Sequence, residues 1–297
     1  MLTARRKGLF FPALPRAVLS ARGKDRTSFL HRLLSNDIKG LQPGQAKPAC
    51  LLDRQGKVLF ACLAHAGQEE ILLEMAPFHL EIARAALEKY RVSEQVDLQD
   101  ATARFQVLSA HGPALPAAAL PPLAGTDGFP FPIPLFGMPG MDFWIDSARA
   151  AEIGPKLQEA FRAAGMEEGD LQAFEVLRIE AGLPVPGKEL TPEVILNELG
   201  REDFVSFTKG CYVGQEIVAR IKHRAHPPRL LTGFLLESGP LPPEGSSLLH
   251  EGKPVGTLTS ICFSPTLKRN IALGFLQYGF TGEIAGAEKT ALPFVKP

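Results

Sequence analysis

Apolar positions along the chain alternate in some stretches and recur at helical spacing in others, so the pattern predicts short elements of both kinds. Ala17 to Arg22 reads as a short strand closed by Gly23. Phe29, Leu30, Leu33 and Leu34 then follow helical periodicity, with Asp25 or Thr27 placed to cap and SNDIKGLQPGQ supplying turn chemistry from Ser35. Strands are predicted over Ala46–Leu52 and Lys57–Ala64, joined by the polar turn DRQG, and a third over Glu70–Met75 completes a meander. Pro77 opens a helix that carries Ile82, Ala83, Ala86, Leu87 and Tyr90 on one face. Further strands are expected around Arg91–Leu98 and Arg104–Ser109. This order implies an α+β unit with helices on one face of an antiparallel sheet.

The pattern changes between Gly112 and Gly140, a stretch with eight prolines and almost no charge. It reads as a loop-rich connection at a domain boundary, with Phe129, Phe131 and Phe136 available to pack. Ser147 to Ala164 is helical and Gly165 stops it; Leu171 to Ala181 is helical and ends at Gly182, with Pro184 just beyond. After Arg229 the segments LLTGFLLE, PVGTLTSICF and IALGFL are strand-like, as in a small C-terminal barrel or sandwich.

A length of 297 residues exceeds one ordinary core and favours two or three domains. Thirty-two basic and thirty-two acidic residues cancel, so any anion site must arise from local clustering. Arg5, Arg6 and Lys7 before GLFFPALP imitate a signal peptide, but the apolar run is short, Pro12 and Pro15 break it, and no small-residue cleavage site follows. No stretch approaches the eighteen or more apolar residues of a membrane span. The expected setting is soluble and cytoplasmic, with no membrane partner.

Chemistry is concentrated in Lys209–Glu216, reading KGCYVGQE. A thiol sits between two glycines and near a lysine, ahead of IVARIKHR, which looks helical and becomes strongly basic. A nearby cation or a helix N-terminus lowers a thiol pKa, so Cys211 with Lys209 is a candidate nucleophile or ligand. A tight turn that uses glycine for backbone reasons is the alternative. Cys50 and Cys62 lie in apolar strand-like runs and read as small buried hydrophobes. No C-x-x-C pair and no zinc-finger spacing occurs, so no metal site is predicted. Phe174 and Arg178, four residues apart, would share a helical face and could stack on a flat heterocycle and hold a carboxylate, unless Arg178 is only a surface charge at a helix end. Arg220, Lys222, Arg224 and Arg229 form a dense positive cluster whose bland reading is a solvated helix face.

KGCYVGQE, continuing into IVAR and preceded by Val205–Phe207, resembles the YgfZ branch of the folate-binding aminomethyltransferase (GcvT-like) superfamily. FLHRLLSNDIKGLQPGQ, RIEAGLPVPGKEL and GTLTSICFSPTLKRNIALGFL fit the same superfamily, so the resemblance spans most of the chain. It implies an α+β fold of three domains in a ring around a folate-sized groove, ending in a β-barrel. The implied division is a discontinuous folate-binding domain over 1–100 and 171–228, a second α+β domain over 101–170, and a barrel over 229–297. A tetrahydrofolate-type cofactor is implied, with Phe174, Arg178, Tyr212, Gln215, Glu216 and Arg220 binding it and Cys211 and Lys209 as the reactive pair.

One departure separates two functions. Aminomethyltransferases of this superfamily carry an acidic pair in the strand after the first turn, where this chain has Leu59 and Phe60. A group that manages protons is missing there. The leading expectation is therefore a folate-binding accessory protein, not a classical enzyme, that supports iron–sulfur cluster assembly or repair and thereby cluster-dependent tRNA modification. Its implied partners are folate and iron–sulfur assembly or client proteins. The alternatives are a tetrahydrofolate-dependent aminomethyltransferase-like one-carbon transfer enzyme, or direct tRNA binding through Arg220–Arg229.

Overall fold

A computed structural model of the chain describes residues 5–115 and 128–295. The proline-rich stretch 116–127 lies outside the described residues. Three five-stranded sheets carry the fold. Among the described residues no helix is long and apolar enough to cross a membrane.

The N-terminal sheet has the order β3-β4-β5-β2-β6 and is antiparallel throughout. Its strands are β2 (Ala17–Arg22), β3 (Ala46–Leu52), β4 (Val58–Ala66), β5 (Glu70–Met75) and β6 (Asp97–Asp100). Helices α1 (Arg26–Leu33) and α2 (Leu80–Glu88) cover one face. Phe29, Leu30 and Leu33 of α1 and Ala83 and Leu87 of α2 bury against Leu19, Phe60, Cys62, Ala64 and Leu73. The helical periodicity read from the sequence is this core-facing stripe. Asp25 does not cap α1 with its side chain; its carboxylate accepts from the Gln95 amide at 2.8 Å instead. That tie belongs to a turn, which is why the strand expected over Arg91–Leu98 begins only at Asp97. Glu94 reinforces the turn by accepting from the Val92 and Ser93 amides.

The middle sheet has the order β10-β1-β7-β9-β8. It contains β7 (Phe105–His111), β8 (Gly128–Pro132), β9 (Gly140–Asp146) and β10 (Glu167–Glu168), together with β1 (Leu9–Phe11) from the start of the chain. β1 runs antiparallel to β7 and parallel to β10. Helix α3 (Ser147–Ala163), capped by Asp146 accepting from Ala148, packs Ile153, Leu157 and Phe161 onto Phe10, Leu108, Phe143 and Ile145. Alternation along each strand sends the other residues to the opposite face. There Val107, Phe131 and Trp144 meet Val18 and Leu72 of the N-terminal sheet.

Helix α4 (Leu171–Glu180), capped by Asp170 accepting from Ala173, links the sheets. Val176 and Ile179 pack against the C-terminal sheet, while Leu177 and Phe174 meet Leu9, Phe11 and Phe136 beside the middle sheet. The C-terminal sheet has the order β12-β13-β14-β11-β15 and is antiparallel. Its strands are β11 (Arg229–Leu236), β12 (Ser247–His250), β13 (Lys253–Ser264), β14 (Arg269–Gln277) and β15 (Ala287–Thr290). It closes over Phe234, Leu236, Leu248, Leu258, Ala272 and Leu276. The architecture is α+β, as expected from the pattern.

Helix α5 (Gln215–Arg224) follows the thiol segment, and Gly214 caps it in the left-handed region at φ 82°. A Cβ at Gly214 would lie 2.5 Å from the Asp53 carbonyl oxygen, within the turn that joins β3 and β4. The second glycine of the octapeptide is thus required both by its dihedral and by close approach to that turn. Gly214→Ala should cost about 2 kcal/mol or more, read as a lowered urea midpoint. An unchanged midpoint would show that the segment relaxes away from the turn.

Candidate functional site

The octapeptide is anchored at both ends and open in the middle. Lys209 directs its ammonium at the C-terminal end of α1, donating to the carbonyls of His31, Leu34 (2.5 Å) and Asn36 (3.1 Å). It serves as a cationic cap for that helix and lies 5.0 Å over the Tyr212 ring. Burial pushes this lysine down to about 8, with Asp37 opposing. Tyr212 is buried in the core that joins α4, α5 and the C-terminal sheet, and its burial raises its hydroxyl to about 12.

Between these anchors Cys211 is exposed, three residues before the N-cap of α5. It has no hydrogen-bond or ionic partner among the described residues. The other cysteines are buried, and burial raises Cys62 and Cys262 to about 12 and holds Cys50 well above the usual thiol range. Gln215 is half-buried, whereas Glu216 and Arg220 are exposed. Lys222 pairs with Glu202 and Arg229 with Glu198, so part of the basic cluster is matched by acids.

Arg178, expected by default as a surface charge, is fully buried. Its guanidinium donates to Glu175 Oε2 (2.6 and 3.0 Å), Glu189 Oε2 (3.2 Å), Ser260 Oγ (2.6 Å) and the Leu183 carbonyl (3.3 Å). Phe174 turns elsewhere, edge-on to Phe11 and Phe136 at 5.8 and 5.4 Å between ring centroids. Helical spacing put the two on one face; their lengths and neighbours send them to different walls. No hydrogen bond, ion pair or ring contact joins either to Cys211, Lys209 or Tyr212 among the described residues.

Leu59 and Phe60 sit where the β3–β4 register slips: Phe60 pairs with Leu51 and Val58 with Leu52, leaving Leu59 as the extra residue of a bulge. Phe60 is fully buried and Leu59 packs against the same N-terminal core. Neither position presents a proton-handling group.

A cavity of about 590 Å³ opens between the end of α4, the loop before β9 and the C-terminal sheet. Its walls include Pro134, Phe136 and Gly137 from the loop before β9, Ala181–Leu183 after α4, Leu199–Arg201, Leu230–Thr232 of β11, and Lys289–Pro293. The sequence pattern did not bring these residues together, because five distant stretches supply them. The candidates lie one layer behind: Phe174 against Phe136, and Arg178 holding Leu183 through both its carbonyl and its guanidinium.

Behind the same wall lies a buried polar cluster. Arg16 donates to Glu74 (2.7 Å), Asp142 (2.9 Å) and Ser109 (2.9 Å), and His65 Nε2 meets Glu74 at 2.8 Å. His111 is fully buried and neither ring nitrogen has a partner. Burial pushes His111 down to about 4, with Asp142 opposing and Arg16 adding to the effect.

A family profile described as the glycine cleavage T-protein C-terminal barrel domain matches residues 229–292. An aminomethyltransferase of Thermus thermophilus is 30% identical over 302 residues, covering 92% of this chain and 83% of that protein. One of Geobacillus kaustophilus is 30% identical over 277 residues, covering 86% of this chain and 75% of that protein. The crystal structure of glycine cleavage system aminomethyltransferase T from Bartonella henselae superposes with a TM-score of 0.86 over 99% of this chain and 88% of that one, at 21% identity. The chain belongs to the GcvT-like aminomethyltransferase family.

Two outcomes follow from this geometry. Alkylation of the native protein with iodoacetamide should modify one thiol, and Cys211→Ser should abolish the modification; labelling of two or more native thiols would contradict the burial pattern. His111, whose folded pKa lies below the ordinary 6.5, binds fewer protons folded than unfolded between pH 6.5 and 4. Stability from this source therefore falls by about 3 kcal/mol as pH drops through that window. Urea unfolding at pH 7 and pH 4 should show His111→Phe losing less than the parent; equal losses would contradict it.

Proposed function

We propose that this chain binds a tetrahydrofolate-type ligand in the 590 Å³ cavity and acts on a one-carbon unit that the ligand accepts or carries. The observation that supports this most is the family relationship itself, which runs over 92% of the chain, together with a cavity between the loop before β9, the turn after α4 and the C-terminal sheet. The volume suits a pterin with its attached ring, and apolar walls joined by Arg201, Thr232, Lys289 and Thr290 offer both packing and polar contacts. In this reading the chain divides into a discontinuous first domain, a middle domain and a barrel, in a soluble cytoplasmic setting. Lys209 and Tyr212 hold the thiol segment in place, and Phe174 and Arg178 support the cavity wall.

A second reading is favoured by two specific observations. Leu59 and Phe60 leave the β4 bulge without a carboxylate, and Cys211 alone of the four thiols is exposed. Deamination of an aminomethyl group needs proton transfer at the reacting nitrogen, and an apolar bulge does not provide it. The ligand would then stabilise a thiol-bearing accessory protein of the YgfZ type, serving iron–sulfur assembly or client proteins and, through them, tRNA modification.

The test combines the purified chain, tetrahydrofolate and an aminomethylated lipoyl carrier. Methylene-tetrahydrofolate formation well above the carrier alone, with Cys211→Ala equally active, would establish the transferase reading. No formation, a folate-dependent rise in melting temperature, and loss of cluster-enzyme activity in cells bearing Cys211→Ala would establish the accessory reading. No thermal shift with tetrahydrofolate would overturn both.

A further inference from the structure

A second cavity, of about 340 Å³, lies between α5, the loop that precedes the thiol segment and the ends of β11 and β14. Gly200, Arg201 and Leu230 are common to its wall and that of the larger cavity. Leu196, Val205, Phe207, Val218 and Ile221 give it apolar sides. Val218, Ile221 and Lys222 share one face of α5, which places Arg220 and Arg224 on the opposite face, away from the cavity. The basic cluster read from the sequence is thus divided, and a single lysine of the helix serves this space. Its volume falls at the small end of the roughly 300–1,000 Å³ usual for ligand pockets, which suits a ligand of one or two rings.

Asn197 also lines this cavity, from the short turn Leu196–Leu199. Its Nδ2 donates to the Val218 carbonyl at 3.2 Å, and that acceptor fixes which end of the amide is which. Oδ1 is buried and has no partner among the described residues. Buried polar groups are nearly always paired, because an unpaired one forfeits its hydration without return. This is the one unpaired buried polar atom in the cavity's lining among the described residues, and it is an acceptor. A ligand that completes it brings one N–H or O–H. A nucleobase fits poorly, since its edge carries several donors and acceptors and most would face apolar walls.

Rings and charges at the rim narrow the choice further. His226 and Tyr278 both line the cavity and stack face to face, with centroids 4.4 Å apart and planes 2° apart. A flat ring extends such a stack. Arg201 and Lys222 stand against one lining carboxylate, Glu202, so the lining carries one positive charge in excess. Lys222 pairs with Glu202, whereas Arg201 holds Asp203 through Nε (2.8 Å) and Nη2 (2.6 Å) and leaves Nη1 without a partner among the described residues. A guanidinium edge of this kind suits a carboxylate. We propose that this cavity binds a flat aromatic carboxylate with a single ring N–H, an indole-type acid. Its ring stacks on the His226–Tyr278 pair, its N–H donates to Asn197 Oδ1, and its carboxylate accepts from Arg201. The inference does not depend on the folate reading, and neither Cys211 nor the larger cavity's ligand takes part.

The test is calorimetric titration of the full chain with two probes, indole-3-acetate and naphthalene-1-acetate. Both carry two fused rings and a carboxylate, but only the first has a ring N–H. The parent is expected to bind indole-3-acetate at least tenfold more tightly than naphthalene-1-acetate. Asn197→Leu should weaken the indole acid at least tenfold and bring the two probes level, because it removes the acceptor and keeps the volume. Arg201→Gln should weaken both probes by similar factors. Should Asn197→Leu fail to fold, Tyr278→Ala replaces it: Tyr278 is 48% exposed, so its loss spares the core. That variant should weaken both probes at least threefold while preserving their ratio. No binding of indole-3-acetate by the parent, equal affinity of the parent for both probes, or unchanged affinity in a folded Asn197→Leu or Tyr278→Ala would each overturn the proposal.

Discussion

A guanidinium with no access to water has to be matched by protein groups, and Arg178 is in that position. Glu175 reaches it from the same helix, Glu189 from the loop beyond, Ser260 from β13, and the Leu183 carbonyl from the turn that ends α4. Removing one partner of a buried pair typically costs about 3–5 kcal/mol, because the remaining charge is stranded. The barrel therefore docks on α4 in one register. Glu180, two residues on, repeats the device: its buried carboxylate accepts from Arg5 (2.8 Å), Ser264 (2.6 Å) and Thr266 (3.2 Å). One helix end thus fixes the barrel, the chain start and the turn that walls the cavity.

The same constraint clarifies the thiol segment. Tyr212 shares a core with Val176 and Ile179 of α4 and with Leu231, Ile271 and Phe275 of the barrel. Lys209 closes the end of α1, and Gly214 lies against the β3–β4 turn. Most of KGCYVGQE is therefore structural, joining the N-terminal sheet to the barrel. Cys211 is what the anchors leave exposed. Its distinctness comes from position and not from an ionic partner, since the lysine beside it in sequence spends its donors on helix carbonyls.

Local pattern carried much of the fold. The meander β3–β5, helices α1 to α4 and the barrel strands β11, β13 and β14 follow from periodicity and from glycine and proline stops. Strand β1 was not legible: three residues give no period, and its place beside β7 and β10 depends on partners about a hundred residues or more away. The start of β6 is not legible either, because a side-chain tie from Asp25 to Gln95 puts a turn where the pattern predicts a strand. At the site, spacing placed Phe174 and Arg178 on one helix face, but which way each turns depends on β13, Glu189 and the Phe136 loop. The orphaned nitrogens of His111 were likewise invisible, since burial without a partner is a property of packing and not of pattern.

The central claim is that ligand chemistry belongs to the cavity between the end of α4, the loop before β9 and the C-terminal sheet, with the thiol segment outside it. Hydrogen–deuterium exchange on the intact chain, with and without 5-formyltetrahydrofolate, tests this most directly. Protection should concentrate on residues 134–138, 181–183, 199–201 and 230–232. Protection centred on 209–220, with those four stretches unchanged, would contradict the account.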